Sequence, residues 1–292
     1  MIPARIAHTG VNMRVNDIWQ GEDTIWVCGG TRGQEGFILY STDQGSSWVN
    51  CLTQGERSFY TIERDSAGIF WAGGEFLSIW RSPDGRNWSP LWLGDQVPFH
   101  EEDRPAIRQF QFAGGNKVYF AGGENLGEGV LFQSNDGGLN WEFIFKQHEF
   151  RDLVLDAEAG IACGHGEILK FGNQLEDSFA TQPDNDFYTG IVRWHDGFAT
   201  CSSQGVILES TDGISWNEWA KTPRLHQSFV FNDISTNGNE VVACGMNGTL
   251  WTFSHGSWNA YMVEDRPNLY QLYPAGDGFW AGSDNGTLYY FE

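Results

Sequence analysis

The hydrophobic pattern of the chain repeats along its length, and each repeat predicts short β-strands. Each of the seven repeats contains an apolar run that ends in a small residue, followed by a second apolar segment that is typical of a strand. The first runs end at Cys28, Ala72, Ala121, Cys163, Cys201, Cys244 and Ala281. The strand segments that follow begin with GFILYS at Gly36 and end with GTLYYF at Gly286. A period of about 40 residues with strand-like content predicts the blades of a β-propeller.

A second repeated segment marks the innermost strand of each blade. Its first residue is apolar, its second is polar or aromatic, and its third is mostly Asp, Thr or Gln. The copies are VNDIW from Val15, FYTIE from Phe59, IRQFQ from Ile107, FRDLV from Phe150, FYTGI from Phe187, FNDIS from Phe231 and LYQLY from Leu269. Such alternation favours a strand that is buried among its neighbours.

We therefore predict an all-β chain that forms one domain, a single seven-bladed β-propeller of four-stranded antiparallel blades. The last blade ends after three strands, so we expect residues near Ala4 to His8 to supply its fourth strand. Closure of the ring by this N-terminal strand removes an exposed sheet edge. The predicted blades span residues 13–54, 55–104, 105–147, 148–184, 185–226, 227–265 and 266–292 together with 1–12.

Four segments share Ser-x-Asp, then glycine, then Trp: STDQGSSW from Ser41, SPDGRNW from Ser82, SNDGGLNW from Ser134 and STDGISW from Ser210. This pattern resembles the Asp-box, or BNR, repeat of sialidase-like propellers. In that family the loop joins the third and fourth strands of a blade, on the face opposite the usual ligand site. The resemblance therefore implies a structural role for Asp43, Asp84, Asp136 and Asp212.

Charge and composition narrow the possible partners. Lys and Arg number 17 against 38 Asp and Glu, for a formal net charge of −21. This excess of acid argues against nucleic-acid binding and against anionic membranes. No apolar run approaches the length of a membrane span, and the first residues lack the apolar region of a signal peptide. We expect a cytoplasmic or virion-associated protein, with no membrane insertion.

The five cysteines give no sign of a cofactor. Four of them, Cys28, Cys163, Cys201 and Cys244, occupy the small position that closes the apolar run of separate repeats. That position predicts buried thiols where blades crowd together, whereas a metal site needs ligands that cluster. We therefore predict no metal and no cofactor.

The second residues of the inner strands are the candidate ligand-binding set, because they should surround one mouth of the central channel. Arginine with asparagine can hold a carboxylate or a sulfate, and tyrosine faces suit sugar rings. The alternative is a rim that is satisfied by its own hydrogen bonds. The third residues, which include Asp17, are expected to bond backbone amides between blades. The candidate set is Asn16, Tyr60, Arg108, Arg151, Tyr188, Asn232 and Tyr270.

The superfamily that the chain resembles includes sialidases, other glycosidases, a photosystem II assembly factor and non-catalytic modules. We predict a non-enzymatic binding or structural module that binds a protein or a glycan, as part of a larger assembly such as a phage virion. The alternative is a sialidase-like glycoside hydrolase at the same mouth, with Tyr60 or Tyr188 beside a carboxylate such as Glu63. Sialidases have six blades and an Arg-Ile-Pro motif, which this sequence lacks. The oligomeric state stays open.

One insertion, GDQVPFHEEDRP from Gly94, lies between the second and third predicted blades. It carries His100, Glu101, Glu102 and Asp103, which are adjacent in sequence and so suit one coordination sphere poorly. We expect a solvated acidic loop at the same mouth, where it acts as a partial lid or as a partner contact.

Overall fold

A computed structural model describes residues 2–93, 96–99, 104–124, 127–156, 159–172, 175–181, 186–222 and 231–292. The chain forms seven sheets of four antiparallel strands each, arranged as the blades of a ring. The helical elements within the described ranges are three-residue 3-10 turns at Glu75–Leu77, Leu175–Asp177 and Met246–Gly248. The predicted all-β, seven-bladed propeller is confirmed.

The first four blades are continuous in sequence. Blade one contains β2 (Val15–Gly21), β3 (Thr24–Gly30), β4 (Gly36–Ser41) and β5 (Val49–Gln54). Blade two contains β6 (Phe59–Arg64), β7 (Phe70–Gly74), β8 (Ile79–Ser82) and β9 (Ser89–Leu91). Blade three contains β10 (Ala106–Ala113), β11 (Lys117–Glu124), β12 (Glu128–Ser134) and β13 (Glu142–Lys146). Blade four contains β14 (Phe150–Leu155), β15 (Gly160–Gly164), β16 (Ile168–Phe171) and β17 (Phe179–Ala180).

The remaining blades include the one that joins the two ends of the chain. Blade five contains β18 (Tyr188–Trp194), β19 (Gly197–Ser202), β20 (Val206–Ser210) and β21 (Asn217–Lys221). Blade six contains β22 (Phe231–Thr236), β23 (Val241–Gly245), β24 (Thr249–Ser254) and β25 (Ser257–Met262). Blade seven contains β26 (Leu269–Ala275), β27 (Gly278–Ser283), β28 (Thr287–Phe291) and, as its outer strand, β1 (Arg5–His8).

The N-terminal strand completes the last blade, as the sequence predicted. β1 pairs antiparallel with β28, with Arg5 opposite Tyr290 and His8 opposite Thr287. The Nδ1 atom of His8 also lies 3.1 Å from the Oγ1 atom of Thr287. This pairing satisfies backbone groups that an open edge would expose to other chains.

Apolar side chains fill the spaces between neighbouring blades. Between blades two and three, the buried aromatic rings of Trp71, Phe110 and Phe120 belong to one cluster. The four cysteines of the small repeat position are fully buried free thiols, as the repeat predicted. The packing between blades holds the inner strands in place, and these strands begin at the mouth that contains the predicted site.

Aspartates on three inner strands join adjacent blades. Oδ1 of Asp17 accepts a 2.8 Å hydrogen bond from the backbone N–H of Ile18, in its own strand. Oδ2 of Asp17 accepts another, also 2.8 Å, from the N–H of Ile62 in blade two. The predicted structural role is therefore the one observed. The same two bonds recur for Asp152, with Leu153 and Ile191, and for Asp233, with Ile234 and Leu272.

The four Ser-x-Asp loops connect the third and fourth strands of blades one, two, three and five. They lie on the face of the ring opposite the mouth where the inner strands begin. In blade one, Ser41 donates to Asp43 (2.8 Å) and accepts from the N–H of Gly45 (2.8 Å). The N–H of Ser47 donates to the same carboxylate at 2.8 Å, and the indole of Trp48 donates to the Gly45 carbonyl at 3.2 Å. Hydrogen bonds from Ser47 lower the pKa of Asp43 to about 2. The Ser–Asp bond recurs at Asp84, Asp136 and Asp212.

The glycines of the blade-three loop provide a matched test of how these loops stabilise the ring. Gly137 and Gly138 both have positive φ, 75° and 85°. A Cβ atom on Gly138 would lie 2.7 Å from Cη2 of the fully buried Trp71, whereas one on Gly137 would come no closer than 3.9 Å to a neighbour. Gly137→Ala should cost about 1–2 kcal/mol from backbone strain alone. Gly138→Ala should cost about 1–3 kcal/mol more, because Trp71 has no room to move. Chemical denaturation measures the free energy of unfolding of both variants. Equal losses of stability would show that the contact between residue 138 and Trp71 is unimportant.

Candidate functional site

Six of the seven predicted ring residues meet at one mouth of the central channel. They line a cavity of about 230 Å³, which is open to solvent on the face where the inner strands begin. Their side chains come from six different blades. The lining comprises Asn16, Tyr60, Arg108, Arg151, Asn232 and Tyr270, with Arg14, Phe187, Thr189 and Gln271 in addition.

The structure corrects the position expected for Tyr188. Its side chain is only 1% exposed and belongs to the apolar core between blades four and five. Blade five has its β-bulge between Tyr188 and Gly190, whereas blade one has the same bulge between Val15 and Asp17. Tyr188 is thus the first residue of its inner strand, and Thr189 takes the second position at the mouth. The sequence alignment was one residue out because Gly190 stands where blade one has Asp17.

Three mouth or near-mouth residues were missed: Arg14 and Glu149 precede the segments that the sequence pattern selected, and Phe187 was aligned one position too far along its strand. Arg14, Glu149 and the correctly aligned Phe187 each lie directly before the first residue of an inner strand. The two charged residues at this position, Arg14 and Glu149, were the available signal. Arg14 and Phe187 line the cavity, and Glu149 contacts two of its arginines.

Each arginine of the mouth stacks on an aromatic ring from a neighbouring blade. A guanidinium above an aromatic face is attracted by the negative charge density of the ring. These contacts hold the cationic groups at the mouth, and each covers one face of its ring. The distances from Cζ to the ring centroid are 4.7 Å for Arg14 on Tyr270, 4.1 Å for Arg108 on Tyr60 and 4.9 Å for Arg151 on Phe187.

A single buried carboxylate balances two of the three guanidinium groups. Oε1 of Glu149 lies 2.8 Å from Nη2 of Arg108 and 3.4 Å from Nε of Arg151, and the Glu149 side chain is 1% exposed. Three guanidinium groups and one carboxylate leave this part of the described chain with a formal charge of +2. Burial, followed by the charge of Arg108, lowers the pKa of Arg151 to about 10. Burial also lowers the pKa of Arg14. The mouth therefore has an unbalanced positive charge that an anion would neutralise.

The asparagines of the ring hold the blades together at the mouth. Nδ2 of Asn16 donates to the Phe59 carbonyl at 2.6 Å, and Nδ2 of Asn232 donates to the Leu269 carbonyl at 2.7 Å. Each bond joins a blade to the next one in sequence. The Asn16 side-chain oxygen accepts from Nε of Arg14 and so orients that guanidinium. The two asparagines thus position the site, which leaves the arginines as its main groups for contacting a ligand.

The comparisons with known proteins establish the fold. Neither a protein-family model nor a curated protein matches the chain. The solved structure of YCF48 bound to a D1 peptide is 17% identical, with a TM-score of 0.76 over 99% of this chain and 94% of that one. YCF48 from Cyanidioschyzon merolae is 16% identical, with a TM-score of 0.74 over 99% and 98% of the two chains. A catalytically inactive virginiamycin B lyase from Staphylococcus aureus is 12% identical, with a TM-score of 0.77 over 98% of each. At these identities the similarity extends to the fold alone.

Metal-binding and membrane-spanning features were also considered over the described ranges. These ranges contain no group of three or more His, Cys, Asp or Glu side chains that could hold a metal ion. None of the helices found there is long and apolar enough to cross a membrane. In the predicted acidic loop, the residues His100, Glu101, Glu102 and Asp103 lie outside the described residues.

Proposed function

We propose that this propeller is a non-enzymatic binding module that holds a protein or peptide partner through a carboxylate placed in the arginine-lined mouth. The observation that supports this most strongly is the sharing of Glu149 by Arg108 and Arg151, with Arg14 as a third cation beside them. Arginine binds carboxylates through directional, charge-assisted hydrogen bonds. A cavity of about 230 Å³ suits one acidic side chain or one chain terminus.

A peptide fits this site better than a glycan. Sugar rings stack on open aromatic faces, and the two tyrosines of the mouth were the candidates for such stacking. Arg108 covers one face of Tyr60, and Arg14 covers one face of Tyr270. The exposed chemistry of the mouth is therefore mainly cationic. The solved YCF48 structure with a D1 peptide, which has the same fold, also favours a peptide occupant.

The alternative of a glycoside hydrolase has less support. That chemistry needs a pair of carboxyl groups, or a nucleophile and an acid, on the two sides of the scissile bond. The described residues that line the mouth include neither Asp nor Glu. Glu149 is buried in ion pairs, and Glu63 is not among the lining residues. Of the two candidate nucleophiles, Tyr188 is in the core, and Tyr60 lines the mouth with Arg108 stacked on its ring but without a carboxylate among the described lining residues.

Selection from a random peptide library on the purified protein tests the proposal. We expect the selected peptides to be rich in Asp and Glu, and to bind less tightly as salt is added. Arg14→Gln and Arg151→Gln should each weaken binding by about 10- to 100-fold, the usual effect of a lost charge-assisted hydrogen bond. Arg86→Gln is the matched control. Arg86 also stacks on a tyrosine, Tyr40, but it lies in a Ser-x-Asp loop on the opposite face of the ring.

The proposal fails if the selected peptides carry no excess of acid, or if they bind the Arg14 and Arg151 variants as tightly as they bind the control. Circular dichroism and thermal melting must first show that all three variants fold. An affinity loss shared by Arg86→Gln would place the binding surface elsewhere on the ring.

We also infer that the four Ser-x-Asp loops are Asp boxes with a structural role, and that the whole chain acts as one domain. The shared bonds of Asp43, Asp84, Asp136 and Asp212 support the first inference. The pairing of the two chain ends in blade seven supports the second. Membership of a larger assembly such as a virion stays a prediction from the acidic composition.

A further inference from the structure

A second concave surface lies beside the mouth, on the same face of the ring. It is a groove of about 1,040 Å³ at blades one to three. Its walls come from the turns between the second and third strands of these blades, from the segment between β9 and β10, and from the end of β13. Within the described chain, the residues that matter here are Arg32, Glu75, Phe76, Phe99, Glu124 and Phe145.

Exposed aromatic side chains make part of this groove apolar. Phe145, on the outer strand of blade three, is 51% exposed. Its ring packs edge to face against Phe99, with 5.3 Å between centroids and 83° between planes. Exposed apolar side chains that group in a concave surface are typical of interaction sites.

The backbone at Phe76 supports a binding role for the groove. Phe76 has φ 57° and ψ 39°, and Leu77 has φ 52°, a left-handed conformation that costs bulky residues energy. In blade six the corresponding turn has Asn247 and Gly248, the residue types that adopt this conformation most easily. Blade two thus places an aromatic side chain in the groove at the expense of local stability. Strain of this kind is commonly found at functional positions.

The groove and the mouth are separated by a wall about one residue thick. Oε2 of Glu75, in the groove, accepts from the N–H of Ser58 at 2.8 Å, and the Ser58 hydroxyl accepts from Asn16, in the mouth, at 3.1 Å. On the other side, a Cβ atom on Gly123 would lie 2.8 Å from Cγ of Glu149. One bound chain can therefore contact both surfaces.

The charge of the groove differs from that of the mouth. Arg32 forms ion pairs with both Glu75 and Glu124. The charged lining residues within the described chain have a formal charge of zero as a whole, because they are Arg32, Arg104 and Lys146 against Glu75, Glu124 and Glu128. An acidic side chain gains little from this surface, whereas an apolar one can cover Phe99 and Phe145. Complementarity thus assigns a carboxylate to the mouth and an apolar side chain to the groove.

We propose that the groove binds an aromatic or large aliphatic side chain of the same peptide whose carboxylate occupies the mouth. This proposal rests on the proposed function, and it adds a second requirement for the partner. An extended peptide advances about 3.3 Å per residue, so the apolar residue should lie within a few positions of the acidic one. The partner is then an acidic peptide segment with one apolar anchor.

Calorimetric titration with defined peptides tests this requirement. The parent probe is acetyl-GSGSGEE with a free C-terminus, and in the other probes phenylalanine replaces each Gly or Ser in turn. We expect one or two adjacent positions to increase affinity by about tenfold, which is about 1.4 kcal/mol. Phe145→Ala should abolish that gain and leave the affinity for the parent probe unchanged. Phe179→Ala is the control, since Phe179 is a similarly exposed side chain (48%) on the outer strand of blade four.

A second variant separates binding from folding. Phe76→Asn should retain or increase stability, because asparagine adopts the left-handed conformation more easily, yet it should reduce the gain from the phenylalanine probes. If the parent probe shows no binding that depends on Arg151, both proposals fail. If the parent binds through Arg151 but no phenylalanine position adds affinity, the groove proposal alone fails. It also fails if the gain survives Phe145→Ala.

Discussion

Replacing Glu149 with glutamine is expected to destabilise the fold by about 3–5 kcal/mol, the usual cost of removing one partner from a buried ion pair. Glu149 is 1% exposed, and its carboxylate contacts both Arg108 and Arg151. The variant leaves two largely buried guanidinium groups without their counter-charge. Denaturant unfolding of wild type and Glu149→Gln measures the difference directly.

Two comparisons make this prediction specific. Glu218→Gln, which removes the surface pair with Lys221 at 3.4 Å, should change stability by less than about 1 kcal/mol. Added sulfate should raise the melting temperature of Glu149→Gln more than that of wild type, because an anion at the mouth replaces the missing charge. If Glu149→Gln is as stable as Glu218→Gln, the ion pairs of Glu149 with Arg108 and Arg151 do not stabilise the fold as we infer.

Replacing Asp17 with alanine should cost about 2–5 kcal/mol, the second large effect. Asp17 is 3% exposed, and its two oxygens accept from the N–H groups of Ile18 and Ile62. The variant leaves two buried donors without acceptors, each at about 1–3 kcal/mol, together with a small cavity. Thermal and denaturant unfolding test this value. A cost below about 1 kcal/mol would show that the bridge between blades one and two contributes little.

The same aspartates predict how stability varies with pH. Burial raises the pKa of Asp17 to about 7 and that of Asp152 to about 7, from 3.8 for an exposed carboxyl. Between about pH 4 and pH 7 the folded chain therefore binds more protons than the unfolded chain, so raising the pH lowers stability across this window. Each carboxyl contributes at most about 1.4 kcal/mol per pH unit. The slope should be shallower in Asp17→Ala, and an equal slope would contradict the assignment.

The blade count could be predicted from sequence because the repeat is local. Each copy has a strand, a small buried residue such as Cys28 or Ala72, and an inner strand, so the copies can be counted without tertiary information. The strand from Arg5 to His8 followed from the same count, since the last repeat was one strand short. A three-stranded last blade would expose unpaired backbone groups at its edge, so a strand from elsewhere in the chain is expected to cover it.

The candidate site was predicted only in part, because the register of its strands depends on β-bulges that the sequence does not mark. Because Gly190 stands where other blades have Asp, Thr or Gln, the sequence alignment of the fifth inner strand was one position out. Thr189, not Tyr188, is therefore the residue of this strand at the mouth. Arg14 and Glu149 lay one residue before the repeated segments. The insertion from Gly94 was the one local signal for the groove, and its Phe99 lines it. Phe76 and Phe145 gave no such signal, because they are far apart in sequence and come together only when blades two and three pack.

A crystal structure of the protein with a selected acidic peptide would test the central claim most directly. It should show a carboxylate of the peptide within hydrogen-bond distance of Arg14 or Arg151, in the cavity at the start of the inner strands. A peptide bound along an outer strand or on the face of the Ser-x-Asp loops, with no peptide group at the arginines, would contradict the claim.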